Sequence, residues 1–332
     1  MATTESQLED GSAGSTVEAR VGWRHTLKRI HADATARFGL YVVAIVLFAA
    51  AFAAVDSNLS SLTFGTASNY TFAEALPIFD HPTRIPPPGE ANPNQPPAFL
   101  AEGSLANPLG TDPQGRDYFT RVFYGSQVSV SVGLASTAIG LGGGTIIGAV
   151  SGFYGGKIDD VLMRSVETLY AIPPLVLIIV FIVFLSGGSP DIRYAVVGVG
   201  LTFVPVFARI IRSEVLSVRE MDYIEAARAA GVKDRHIIRR HVIPNSFAPV
   251  MVYATLQIGV TILIVAGLSF LGYGAQPPTP DWGEMLRIAH GRYMHSNIWL
   301  SIWPGLAILV TIMGFNLFGD GLQDALDPRL ED

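Results

Sequence analysis

Cysteine is absent from the 332-residue chain, which rules out disulfides, zinc-thiolate sites and iron–sulfur clusters within it. Charge is scarce as well: 15% of residues are Asp, Glu, Lys or Arg, against 49% hydrophobic, and the mean hydropathy is +0.38. So few charges cannot cover the surface of a soluble protein of this length, and the composition places the chain in a bilayer. The net charge of −6 lies mainly in tails and loops, and no basic surface suited to nucleic acid is present.

A second absence concerns the apolar runs themselves. Six segments approach the roughly 20 residues needed to cross a hydrocarbon core: Phe38–Val55, Val128–Val150, Thr168–Ser186, Ile192–Ile211, Phe247–Leu271 and Ile298–Leu317. None contains Asp, Glu, Lys or His, so there is no intramembrane proton relay and no ion-coupling carboxylate. This weakens the alternative of an ion-driven carrier or channel acting alone. Arg193 and Arg209 lie near the ends of the fourth run, where they can snorkel to the headgroups. The runs are continuously apolar rather than alternating, which predicts an all-α membrane protein with six transmembrane helices and no barrel.

Motifs for bond chemistry are missing too. There is no His-Glu-x-x-His and no Gly-x-Ser-x-Gly. His290 and His295 are badly spaced for a metal and read as solvated. The nearest approach to a phosphate loop, Gly155-Gly-Lys157, has Ser151 in place of the leading glycine and Ile158 in place of Ser or Thr. The chain reads as non-catalytic, with no cofactor or metal of its own and no means of hydrolysing ATP alone.

Sixteen of the 22 Lys and Arg fall in segments that share one side if the N-terminus is cytoplasmic, eight of them in residues 209–246. The positive-inside rule then predicts a multi-pass protein of the cell membrane with both termini cytoplasmic. Residues 1–37 read as a cytoplasmic tail, disordered over about the first 20, and 318–332 as a second tail. The first apolar run reads as a retained helix rather than a cleaved signal peptide, because 37 residues precede it and five spans follow.

The external segment 56–127 is rich in proline over 77–97, a composition suited to a stiff polyproline-like spacer. Asp112-Pro113 is read as the start of a short interfacial helix, with Arg116, Asp117 and Arg121 pairing locally. In the second span, Gly140, Gly144 and Gly148 have the spacing that lets helix backbones approach closely. Pro173-Pro174, Pro205 and Pro304 predict kinks. Gln257 and Asn316 are membrane-embedded amides, read as helix-packing groups or contacts to the transport path.

Between the fourth and fifth spans lies Tyr223-Ile-Glu-Ala-Ala-Arg-Ala-Ala-Gly231, followed by a basic run and Pro244-Asn245. Glu225, Ala226, Ala227, Ala229 and Ala230 form a strong helix with a small flat face, Gly231 breaks it, and Asp234 can cap a second helix. A basic loop obeying topology explains the charges but not the alanine-rich turn. Such a turn suits close docking into a groove on a soluble partner.

The string Glu225-Ala-Ala-x-x-x-Gly231, then His241-Val-Ile-Pro244, resembles the coupling signature of ATP-binding-cassette importer permeases; His241 and Ile243 depart from the general pattern. Pro108-Leu-Gly-Thr-Asp112, Gly115-Arg-Asp117, Leu268-Ser-Phe-Leu-Gly272, Gln276-Pro-Pro-Thr-Pro-Asp-Trp-Gly283 and Gly319-Asp-Gly-Leu-Gln-Asp-Ala-Leu-Asp-Pro-Arg329 are similar to the C-type subunit of dipeptide and oligopeptide permeases. The resemblance spans residues 105–330 and implies a type I ABC importer (MetI-like) fold with its core domain at 128–317 and a cytoplasmic coupling loop at 212–246. It implies ATPase coupling through Tyr223, Glu225, Ala226, Ala227, Ala230, Gly231 and Pro244. It further implies a heterodimer with a B-type permease subunit, two ATP-binding subunits or a fused ATPase carrying ATP and Mg, and an extracytoplasmic substrate-binding protein. Peptide uptake is the implied activity, with nickel, glutathione and other solutes served by similar subunits.

Overall fold

Asp33 receives hydrogen bonds from the backbone N–H groups of Thr35 (3.2 Å) and Ala36 (2.9 Å) and opens the first membrane helix. In the computed structural model, which describes residues 23–326 except 64, 67, 68, 88, 188–190 and 293–295, that helix is α2 (Ala34–Ser57). It is preceded by α1 (Trp23–Ala32). Ile30 of α1 is buried with Ala36, Val252 and Leu322, so the segment before residue 38 is not wholly a tail. The expectation of disorder over the first 20 residues lies outside the described residues.

Two short turns, α3 (Leu59–Leu62) and α4 (Thr71–Ala75), follow. The chain then has no helix until α5 (Tyr118–Tyr154), which runs 37 residues without a break. The separate interfacial helix expected before residue 128 is therefore the first part of α5. Its N-cap is Asp117, which accepts from Thr120 N at 2.7 Å; Asp112 instead closes a turn by accepting from the N–H groups of Gln114 and Arg116.

The third expected span is broken. Helix α6 (Gly156–Tyr170) and α7 (Pro174–Ser186) meet at 90°, because Pro173 and Pro174 lack donors and hold extended backbone between them. Among the described residues five helices are long and apolar enough to cross a membrane, or six if this bent pair counts as one. The others are α2, α5, α8 (Ile192–Arg219), the 249–270 part of α11 (Ile243–Phe270) and α13 (Trp299–Leu326). Helices α8 and α13 continue through Pro205 and Pro304. Residues 318–326 belong to α13 rather than to a tail. Between α11 and α13 lies α12 (Trp282–Arg292).

The most extensive helix contact is α5 against α8, and glycine makes it possible. A Cβ on Gly144 would collide with Phe207, and one on Gly148 with the Ala208 carbonyl and Ile211. With only hydrogen there, the two backbones meet directly and gain dispersion contact that lipid tails cannot supply.

At the N-terminal end of α5 the helices are tied by buried polar groups. Arg116 Nε lies 2.7 Å from Asp112 Oδ2, and Arg121 Nε is 3.4 Å from the same oxygen. All three side chains are buried. Arg121 also donates to the carbonyls of Pro82 (2.8 Å) and Pro278 (3.2 Å). Asp56 accepts from Tyr124 OH (2.6 Å), Phe72 N (2.7 Å) and Ala73 N (3.1 Å). Asp281 accepts from Ser129 (2.9 Å) and Glu284 N (3.1 Å), while burial pushes its carboxyl above the usual range. Burial raises Asp117 in the same direction, opposed by its bonds from Thr120.

The proline-rich segment is part of this assembly and not a free spacer. Asn94 N donates to Asp112 O (3.1 Å), and Thr111 N to Gln95 O (3.0 Å). Arg116 and Arg121 reach Asp112 rather than supporting a local helix with Asp117.

Two expectations follow from thermal unfolding in detergent. Gly148→Leu should destabilise by about 1–3 kcal/mol or more through overpacking, whereas Gly142→Ala, where an added Cβ meets nothing within 4 Å, should be neutral or stabilising by up to ~1 kcal/mol. Asp112→Ala leaves two buried guanidiniums without their carboxylate and should cost about 3–5 kcal/mol.

A candidate coupling surface

The basic segment after α8 folds into a short lever. Helix α9 (Asp222–Ala229) carries Asp222 and Glu225 in its first turn and Arg228 in its last, each matched to the helix dipole. Its end is a Schellman motif: Gly231 N donates to Arg228 O (2.9 Å) and Val232 N to Ala227 O (3.1 Å). Gly231 has φ +76°, a conformation that costs glycine nothing. Ala227 and Val232 pack against the same buried cluster, supplying the apolar contact that accompanies this motif.

Chain continuation is through α10 (Asp234–Ile237) and a π turn over Ile238–Val242 into α11. Asp234 is the first helical residue and not the cap; Lys233 occupies that place and makes no side-chain capping bond. The π turn immediately precedes Pro244, whose missing N–H withholds a donor from the turn behind it. Asn245 donates from its side-chain amide to His241 O, one turn earlier, at 2.6 Å.

Three residues anchor the lever. Ile224, Ile237 and Val242 are completely buried among Phe153, Val215, Val218 and Val250. Each fully buried aliphatic side chain contributes about 1.5–3 kcal/mol, so the loop is a packed extension of the bundle. Charged groups brace it from the side. Arg228 lies 4.7 Å above the Phe153 ring, and Arg219 donates to the Gly152 carbonyl at 3.1 Å, one of the carbonyls left open at the end of α5. Arg212 grips Asp159 through both oxygens (2.7 and 2.5 Å), and Ser151 donates to the same carboxylate at 2.6 Å.

What remains outward is small and flat. Glu225, Ala226, Ala229, Ala230 and Gly231 are exposed, Tyr223 and Met221 flank them about half-exposed, and Ala227 is half-buried. The Glu225 carboxylate forms no ion pair with a described residue. Pro244 is exposed on the first turn of α11.

The expected residues thus divide. Tyr223, Glu225, Ala226, Ala230 and Gly231 share one exposed surface; Ala227 faces inward as part of the anchor. Gln257 and Asn316 lie elsewhere. Gln257 is buried in α11, and its backbone carbonyl accepts from Thr261 at 2.8 Å. Asn316 is exposed on α13, and its Oδ1 would stand 3.3 Å from a Cβ on Gly259. Sequence reasoning missed Ile224 and Ile237 as anchors, although apolar residues inside a charged loop were a visible signal. It also assigned no role to Asp56, which borders the first apolar run, or to Asp281 and Glu284, which lie between the last two. His290 is exposed beside Phe270, as expected, and His295 lies outside the described residues.

Residues 144–332 match the family described as binding-protein-dependent transport system inner membrane component. A dipeptide transport system permease protein (DppC) of Alkalihalophilus pseudofirmus is 36% identical over 93% of this chain and 90% of its own length. A glutathione transport system permease protein (GsiD) of Pectobacterium atrosepticum is 40% identical over 70% of this chain and 76% of its own. A probable D,D-dipeptide transport system permease protein (DdpC) of Escherichia coli K12 is 41% identical over the same shares. Among solved structures, an inward-facing MetNI methionine ABC transporter aligns with a TM-score of 0.52 at 18% identity, covering 62% of this chain and 97% of that one, and this likeness bears on the fold. With its helical bundle, its anchored alanine-rich lever and these relatives, the chain belongs to the inner-membrane permease components of binding-protein-dependent ABC transport systems.

Proposed function

We propose that the chain forms half of the transmembrane path of an importer for short peptides, and that α9 is the element through which a nucleotide-powered partner moves it. The observation that carries this reading is the exposed face at Tyr223, Glu225, Ala226, Ala230 and Gly231, backed by Ile224 and Ile237 in the bundle core. Small side chains let a groove on another protein approach closely, and the buried anchors prevent the helix from slipping when it is pushed. The basic residues around it support a cytoplasmic placement of this end, and with it of both termini, by the positive-inside rule.

In this reading a related B-type permease subunit completes the path, and two ATP-binding subunits, or one fused ATPase, hold ATP and Mg. An extracytoplasmic binding protein delivers the cargo. Closure of the ATPase pair draws the two levers together and tilts the helices so that the path opens outward; hydrolysis reverses the motion. Short peptides are the favoured cargo because relatives aligned over two thirds or more of the chain are named for dipeptides and glutathione.

Gly231→Trp or Glu225→Lys should leave membrane insertion intact and lower peptide uptake by more than about tenfold, equivalent to ~1.4 kcal/mol of coupling. Wild-type uptake in both variants would remove the lever from the mechanism. Ile224→Ala should loosen the anchor by about 2–5 kcal/mol, so that vanadate-sensitive ATP hydrolysis by the reconstituted complex continues while transport falls. Transport by the chain without any ATPase subunit would refute the proposal as a whole.

A further inference from the structure

At the proline-rich end of the bundle, the loop 97–108 presents apolar side chains outward. Leu105 is 88% exposed, Phe99 70% and Leu100 44%, and the only charged residue in the loop is Glu102. The loop is firmly built. Ala98 N donates to Pro108 O, Leu100 N to Pro97 O, Gly103 N to Leu100 O and Asn107 N to Ser104 O, all within 2.9–3.2 Å. Ala106 N is satisfied by Ser104 Oγ at 3.2 Å. Half of the loop's backbone N–H groups are thus bonded within it, which lowers the cost of entering the headgroup region, where water and polar lipid groups can serve the rest.

Its position fixes its surroundings. The Phe99 ring meets Trp303 edge to face, with centroids 6.2 Å apart. Trp303 lies five residues into the apolar run that starts at Ile298, about 7.5 Å along the helix axis from its beginning. From the same run Ile298, Ile302, Leu306, Leu309 and Met313 form an exposed stripe down α13, the face that a spanning helix turns to lipid. Trp299 and Trp303 lie at the start of this run, as interfacial tryptophans do, with their ring N–H groups turned into the protein.

We propose that Phe99, Leu100 and Leu105 form a wedge that enters the lipid headgroup region at this end of the protein, continuing the lipid-facing stripe of α13. The occupant is the lipid surface itself. The wedge pins the proline-rich segment to the membrane plane, and through Asn94, Gln95 and Thr111 it fixes the buried Asp112 network at the head of α5.

The absence of cysteine makes the test direct, since Leu105→Cys introduces a unique thiol in this chain at an almost fully exposed position. The full-length chain, labelled there with an environment-sensitive fluorophore and reconstituted with its partner subunits in phosphatidylethanolamine–phosphatidylglycerol vesicles, should emit further to the blue than a label at Glu90→Cys. Spin-labelled lipid carrying its nitroxide near the headgroup should quench the Leu105 site about twofold or more, and lipid labelled near the methyl end should quench it less. Phe99→Cys, labelled likewise, should follow the same order of quenching. Emission and quenching equal to those at Glu90 would overturn the proposal. A blue shift that arises only on adding the soluble binding protein would also overturn it, by making the loop a protein-docking surface. So would a shielded label that lipid never quenches and that becomes water-exposed when the partner permease is omitted.

Discussion

Direct backbone contact between α5 and α8 is the constraint on which the rest of the molecule depends. The hydrophobic effect does not drive helices together in lipid, so the seam must come from close packing. Gly140, Gly144, Gly148 and Gly152 provide it along just over three turns of α5. The last of these delivers the end of α5 to the lever: Arg219 bonds to the Gly152 carbonyl, and Phe153 forms the floor on which Ile224 and Arg228 rest. In the proposed coupling, displacing α9 would move α5 and α8 as one body, because a close-packed seam of this kind shifts between discrete arrangements and does not stretch.

The two ends of that body are built from different interactions. At the lever end, apolar anchors hold a helix whose outer face stays open, and a bidentate Arg212–Asp159 clamp ties α6 to α8 beside it. At the proline-rich end, Asp112 is buried with Arg116 and Arg121, and Asp56 and Asp281 are buried against hydroxyls and backbone N–H groups, each of the three carboxylates holding two or more partners. Buried networks of this type tolerate little rearrangement, since a single lost partner leaves a desolvated charge. Apolar anchors are less directional and survive small rotations.

Legibility in the sequence followed the same physics. Uninterrupted apolar length identified the spans because hydrocarbon thickness dictates it, and α2, α5, α8, α11 and α13 run through the expected segments. The ends were harder. Helix α5 begins ten residues before its apolar run because Asp117 caps it in a protein-lined environment where Arg121 and Tyr124 are buried, and hydropathy cannot register burial by protein. The break between α6 and α7 was signalled by Pro173-Pro174, but a proline pair inside a helix can kink or stop it, and the sequence alone does not fix the 90° angle. At the lever, composition pointed to the alanine face and Gly231, while the burial of Ala227 depends on a helix phase set by Ile224. The folding of the proline-rich segment onto α5 rests on backbone carbonyls such as those of Pro82 and Asp112, which are present in every sequence and so carry no signal.

This difference between the ends bears on how force travels. An element pushed at its C-terminal end can tilt only if its far end is held; otherwise it translates. The head of α5 is held: Tyr118 donates to Leu300 O at 2.6 Å, Tyr124 to Asp56, and the Val122 carbonyl accepts from Trp282 at 2.8 Å. These bonds tie α5 to α2, α12 and α13 at one level, while nothing comparable fixes α9 on its outer side. The bundle thus has a stiff pivot at one end and a free handle at the other. Under the proposed coupling role, motion applied at the handle would become rotation about the pivot, which is the geometry an alternating path requires.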